Sequence, residues 1–142
     1  MKFAGFFFPL VVLLAGCTSV VTRTDPKADL AAYRHVYVES AANDSSQLDV
    51  LIAQELVARG YDATSGVRTL RPEDAELVVT YDSQWEWDFR TYLINLHVKV
   101  RSADAGRLLG TGHIFHPGVT KKSPAEMVHE VIAKLFPARS EG

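Results

Sequence analysis

From residue 76 to residue 115 the chain alternates apolar and polar residues over a length that no amphipathic helix tolerates, and this run restricts the possible folds most. Leu77, Val79, Tyr81, Trp85 and Trp87 fall at one parity, and Val78, Thr80, Asp82, Gln84, Glu86 and Asp88 at the other. A β-strand points successive side chains to opposite faces, so the spacing predicts a strand with one greasy side and one largely wet side. Tyr92, Ile94, Leu96, Val98 and Val100 repeat the pattern, opposed by Asn95, His97, Lys99 and Arg101. Asp104 and Gly106 mark a turn over 102–107, and residues 108–115 return as a further strand. The expected unit is a three-stranded meander with both tryptophans in the core and the acids Glu86 and Asp88 in water. Cross-strand pairing of those acids with Arg90, Lys99 or Arg101 is their expected role.

The flanking segments change period. His35, Val36, Tyr37, Val38 and Glu39 form a short β-branched and aromatic run, read as a first strand. Ser46 and Asp49 are spaced as a capping box, Leu48, Leu51, Ile52 and Leu56 follow at helical spacing, and Gly60 stands where a helix-ending glycine belongs. A helix is therefore predicted over 46–59, then a short strand over 61–64 and a loop over 65–74. Ser123, Pro124 and Glu126 superpose three helix-start signals, and Val128, Val131, Ile132 and Leu135 make the apolar stripe of a second helix that ends near Phe136 and Pro137. The order β-α-β-β-β-β-α predicts an α+β fold: a mostly antiparallel sheet of about five strands with two helices on one face. Gly110 and Gly112, inside the last strand, mark a bend or a close backbone approach.

Ahead of this domain stands a leader. Lys2 is followed by 14 uncharged residues before Cys17, including the apolar run Phe6 to Leu14. A charged start, a short apolar stretch and a small-residue site are the order of a secretory signal peptide, and the stretch is shorter than the roughly 20 residues a membrane span needs. Cys17 is the sole cysteine, so no internal disulfide can form. Leu14, Ala15, Gly16 and Cys17 resemble the lipobox of bacterial lipoproteins. That resemblance implies cleavage between Gly16 and Cys17 and attachment of acyl chains, palmitate among them, to the new N-terminus. Each buried CH₂ contributes about 0.8 kcal/mol, so several chains hold a protein on a membrane. Thr18 stands where enteric lipoproteins retained at the inner membrane carry Asp, which implies the outer membrane, facing the periplasm. The expected organisation is a signal peptide over 1–16, a lipidated N-terminus and tether over 17–29, and a domain over 30–139. Removing Lys2 with the leader leaves 14 basic against 17 acidic residues, a net charge of −3. Without a basic cluster, nucleic acid is not an expected partner.

Chemistry is harder to find. The chain has five histidines. If the turn over 102–107 sets residues whose numbers sum to about 210 opposite one another, His97 and His113 become cross-strand neighbours and the candidate metal ligands. A zinc site takes three or four ligands, and no neighbouring Cys or carboxylate completes this one; solvated histidines on an exposed face are the plainer account. Trp85, Glu86, Trp87 and Asp88 interleave aromatics and acids in a way that resembles a sugar-binding pocket. Two carboxylates two residues apart on one strand lie side by side, however, whereas glycoside hydrolysis needs them across a substrate. No nucleophile elbow, P-loop or dinucleotide fingerprint is present, so no catalytic residue and no cofactor are expected.

The segments "DPKADLAAYRHVYV" (25–38), "LIAQELVARGYDAT" (51–64), "DAELVVTYD" (74–82) and "VRSADAGRLLGTG" (100–112) resemble a family of bacterial lipoproteins defined only by domain of unknown function 4136. Ala105 and Gly106 depart from the Thr-Gly usual in its hairpin. The resemblance implies an α+β lipoprotein domain and no reaction. The expected function is a non-enzymatic binding or assembly module on the cell envelope, its partners the membrane through Cys17 and an envelope protein or glycan. The alternatives are a metal-dependent or sugar-acting envelope enzyme that uses the polar sheet face, and a structural or stress-related envelope protein.

Overall fold

The computed structural model describes residues 18–117 and 122–139; the signal peptide, Gly16 and Cys17 lie outside the described residues. Six strands, β1 (Ser19–Thr24), β2 (His35–Glu39), β3 (Asp62–Gly66), β4 (Leu77–Trp87), β5 (Thr91–Ser102) and β6 (Leu108–Phe115), are accompanied by two helices, α1 (Leu48–Ala58) and α2 (Pro124–Leu135). The strands form one sheet in the order β1-β6-β5-β4-β2-β3. β4, β5 and β6 are the expected antiparallel meander, β1 joins antiparallel to β6, and β2 lies parallel to both β4 and β3. The fold is α+β with both helices on one face, as the patterning implied.

Three boundaries differ from the sequence reading; one is β3, which runs Asp62–Gly66 rather than 61–64 and takes two residues from the expected loop. Residues 19–24, expected inside a tether, are strand β1, so the sheet has six strands rather than about five. Val20, Val21, Thr22 and Thr24 are β-branched, and β6 offers them a free ladder from Ser19↔Phe115 to Thr24↔Gly110. Six residues are too few to display a period without that partner. Helix α1 starts at Leu48 rather than residue 46, because Asp44 supplies its cap: the two carboxylate oxygens accept from Ser46 N at 2.8 Å and Leu48 N at 2.9 Å. Its other end is as expected. Gly60 has φ +94°, its N–H reaches Val57 O at 3.0 Å, and Tyr61 N reaches Leu56 O at 3.1 Å, which closes the helix with a Schellman turn. Ser123 caps α2 by accepting from Glu126 N at 3.2 Å.

The core lies between the helices and one sheet face. Leu48, Ile52 and Leu56 from α1, Met127, Val131 and Ile132 from α2, and Leu77, Val79, Leu96, Val98, Val100 and Ile114 from the sheet are fully buried. Burying each such side chain contributes roughly 1.5–3 kcal/mol, so this layer dominates stability. Past α2 the chain is stitched back onto the domain. Arg59 Nε donates to Phe136 O at 2.8 Å, Tyr61 Oη to Pro137 O at 2.8 Å, and Arg139 Nε to Ala31 O at 3.1 Å.

The tryptophan reading needs correction. A bulge between Gln84 and Trp85 makes β5 carry one extra residue, so Leu93 rather than Tyr92 turns inward, opposite Trp85. Trp85 packs partly buried against the core, but Trp87 is 72% exposed. Its parity is as expected; the β4–β5 hairpin simply outruns the helix layer that would have covered it.

Gly110 and Gly112 do mark a close approach. A Cβ on Gly112 would lie 2.8 Å from Val131 Cγ2, and one on Gly110 3.2 Å from Leu135 Cδ1, so α2 rests directly on bare backbone of β6. Gly112→Ala is therefore expected to lower unfolding stability by about 1–3 kcal/mol through overpacking. Adding Val131→Ala should recover part of that loss, as measured by urea denaturation of the two variants.

Candidate functional site

The helix-free face of the sheet gathers the polar residues that sequence parity assigned to it. β5 and β6 pair His97 with His113, the predicted register. The two imidazoles stack, ring centroids 3.9 Å apart and planes 10° from parallel. His113 Nε2 donates to Asn95 Oδ1 at 2.8 Å, and Asn95 Nδ2 donates to Gln84 Oε1 at 2.8 Å, which forms a polar row across three strands. Val21, Arg23, Lys99 and Thr111 flank the histidines around a shallow groove of about 400 Å³.

Partial burial holds the His113 imidazole below its ordinary pKa of 6.5, and the adjacent His97 lowers it further by like-charge repulsion. The stack is a poor chelator. Imidazole binds a metal through an in-plane lone pair, and parallel overlaid rings direct those lone pairs past one another rather than to a common point. Among the described residues, no three His, Cys, Asp or Glu side chains are grouped to hold an ion.

The four residues of the candidate sugar pocket separate. Trp85 Nε1 donates to Ser83 Oγ at 3.1 Å, and its ring borders a cleft of about 320 Å³ formed with residues 41–46 and Thr91. Trp87 points into solvent and meets Phe89, ring centroids 6.2 Å apart. Glu86 stands opposite Tyr92 on the other face, and the Asp88 N–H donates to Arg90 O at 3.0 Å in the hairpin turn. The expected pairing of these acids with Lys99 or Arg101 does not occur. Those cations stand opposite Thr80 and Val78, six and eight residues along β4 from Glu86, a distance on the order of 20 Å.

Three features had no readable sequence signal. Buried Tyr81 donates its hydroxyl to Asp44 and accepts from Ala41 N at 3.1 Å, which ties the α1 cap to the sheet. Burial, and then the bond to Asp44, pushes the Tyr81 hydroxyl well above its usual pKa. Thr18 Oγ1 lies 2.7 Å from Nδ1 of buried His116, so the chain is fixed one residue after Cys17. Phe89, 93% exposed, has φ +58°, a conformation bulky residues avoid. All three depend on contacts or turn geometry between distant residues.

The fold defines a small two-layer α+β domain, one sheet under two helices. No family model matches the sequence, and no curated protein does. Solved structures share the fold. The PelC dodecamer of Paraburkholderia phytofirmans superposes with a TM-score of 0.63 at 12% identity, covering 85% of this chain and 99% of that one. A second crystal form of a PelC variant gives 0.63 at 14%, covering 87% and 100%. A domain of unknown function 4136 family protein from Bacteroides thetaiotaomicron gives 0.55 at 13%, covering 82% and 95%. The resemblance read from the sequence segments thus holds at the level of the fold.

Because the folded state keeps His113 hard to protonate, the unfolded chain binds the proton first. The contribution of this residue to stability is whole above about pH 6.5 and is lost as pH falls through the lower, folded value. Replacing His97 with Gln removes the repulsion, so the His113 pKa should rise in an NMR titration of its ring protons. An unchanged titration would mean that burial alone sets the value.

Proposed function

We propose that this chain is a lipid-anchored module of the bacterial cell envelope that assembles with copies of itself or with another envelope component and performs no reaction. Its acyl chains are carried on Cys17, after cleavage behind Gly16, and its membrane is the outer one, with the domain in the periplasm. The lipobox-like Leu14-Ala15-Gly16-Cys17 supports the anchoring, and Thr18 in place of Asp supports the outer membrane. An envelope glycan remains the second class of partner for the polar face.

The observation that carries the assembly reading is the state of the two sheet edges. Among the described residues, β1 and β3 terminate the sheet on opposite sides, and each leaves a row of backbone groups without a neighbouring strand. Beside β3, Val50 and Val57 of α1 are 37% and 55% exposed around an apolar groove of about 400 Å³. On β1, Val21 is 51% exposed, and one edge carbonyl, Val20 O, is taken by Lys134 Nζ at 2.8 Å. Two different edges on opposite sides of one molecule, one beside an apolar groove, suit head-to-tail association, the kind that closes into rings. The PelC of similar fold is a dodecamer.

Mass spectrometry of the mature chain is expected to find residues 1–16 removed and acyl chains on Cys17; an unlipidated chain that keeps residues 1–16 would end the anchoring reading. Val57→Glu, at an exposed position, should leave thermal stability unchanged and shift the detergent-solubilised protein toward monomer in analytical ultracentrifugation. A wild-type chain that sediments as a monomer and, with photo-crosslinkers at Gln84 or Lys99, traps no envelope partner in cells would remove the assembly reading.

A further inference from the structure

The end of the sheet at which residue 18 lies also carries the most exposed aromatic rings among the described residues. In antiparallel ladders paired residues lie level with one another. Ser19 pairs with Phe115, Phe115 with Asn95, and Asn95 with Gln84, so these four define one level across β1, β6, β5 and β4. β1 runs away from that level toward Thr24, which leaves Thr18 on its near side, held by His116. β4 crosses the same level and continues to Trp87, three residues or about 10 Å beyond it. Three strand spacings, about 14 Å, separate β1 from β4 sideways. Residue 18, the neighbour of Cys17 in the sequence, and the hairpin tip therefore lie at the same end of the sheet.

The tip is built to display apolar rings. Trp87 is 72% and Phe89 93% exposed, and the two rings contact each other. Phe89 adopts φ +58°, which Gly or Asn would take without strain, yet an aromatic stands there and points into water. The flanking charges are Glu86, Asp88 and Arg90, a net −1, so there is no basic cluster to seek anionic headgroups. Paired aromatics bordered by charges match the boundary between headgroups and acyl chains, where indole rings concentrate.

We propose that the β4–β5 hairpin tip, through Trp87 and Phe89, is a second membrane contact that lies in the bilayer interface beside the acyl chains of Cys17. This rests on the anchoring proposed above, and it fixes the domain with one end toward the membrane. A lipidated cysteine alone leaves a protein free to swivel; a second contact on β4, about 14 Å across the sheet from β1, restricts that motion and holds the sheet edges away from the lipid. A second copy of the chain or an envelope protein on the same rings are the competing occupants.

The test uses the full-length processed protein in phosphatidylethanolamine–phosphatidylcholine vesicles, with and without bromine on the acyl chains. Wild type is compared with Trp87→Phe, a change at an exposed site, so that the difference spectrum belongs to Trp87. That emission is expected to shift to the blue and to be quenched on the order of twofold by brominated lipid, as for a ring lying in the interface. Phe89→Asn, which accepts the left-handed backbone, should reduce the quenching, and added phosphatidylglycerol should not change it. Mass spectrometry of the same sample reports the acyl chains independently. Acylated Cys17 with unquenched Trp87 overturns the hairpin contact and leaves the anchoring intact. Unacylated Cys17 with Trp87 quenched on mixing with vesicles keeps the contact and overturns the anchoring. If neither is seen, both fall. A Trp87 shift that depends on protein concentration in detergent, with no quenching in vesicles, assigns the tip to a second copy and overturns the membrane contact.

Discussion

Strands β4, β5 and β6 turn Leu77, Val79, Leu96, Val98, Val100 and Ile114 to one side, and a sheet with such a side must bury it. Helices α1 and α2 do so together, packing against each other as well as against the strands. The glycines of β6 set how close α2 can come: with no side chain at Gly110 and Gly112, the helix lies on the backbone itself. Other parts of the fold follow from that layer. Asp44 caps α1 while bonding to Tyr81 beneath it, and the segment past α2 is tied to Arg59, Tyr61 and Ala31, so both helix ends are locked to the sheet they cover.

What the helices leave uncovered is as informative. One face stays open and carries a stacked histidine pair in a polar row, a geometry suited to hydrogen bonding and ill suited to gathering a metal ion. Among the described residues both sheet edges remain open as well, with Val21 exposed on β1 and Val50 and Val57 exposed beside β3. The molecule also has a direction. Residue 18 and the aromatic hairpin leave the sheet at the same end, whereas the turn over 102–107 lies at the other.

Part of the site is legible in the residue order. The turn over 102–107 brings His97 and His113 to within one residue of each other, and a bulge between Val100 and Arg101, where β6 carries one extra residue, sets them directly opposite. The close approach at Gly110 and Gly112 is legible for the same kind of reason, since glycine inside a strand has few uses. The exposure of Trp87 is not, because parity tells which side a residue faces and not how far the opposing layer extends. The bulge at Gln84 and Trp85 is hidden too; neither strand alone reveals that β5 carries one residue more than β4 requires.

Periodicity and local capping chemistry, written in neighbouring residues, determined the α+β class, the meander, both helices and their stripes. The leader and lipobox proposed for residues 1–17 are read from contiguous residues as well. Tertiary structure alone decided that Ser19–Thr24 is an edge strand, that Asp44 rather than Ser46 caps α1, and that Trp87 and Phe89 stand in solvent beside residue 18. The edge strand depends on β6 dozens of residues away and the exposed rings on the lack of a covering layer, while Asp44, local to the N–H groups it caps, is held by Tyr81 on β4. Such free energies arise only when distant segments meet, and a local pattern carries no record of them.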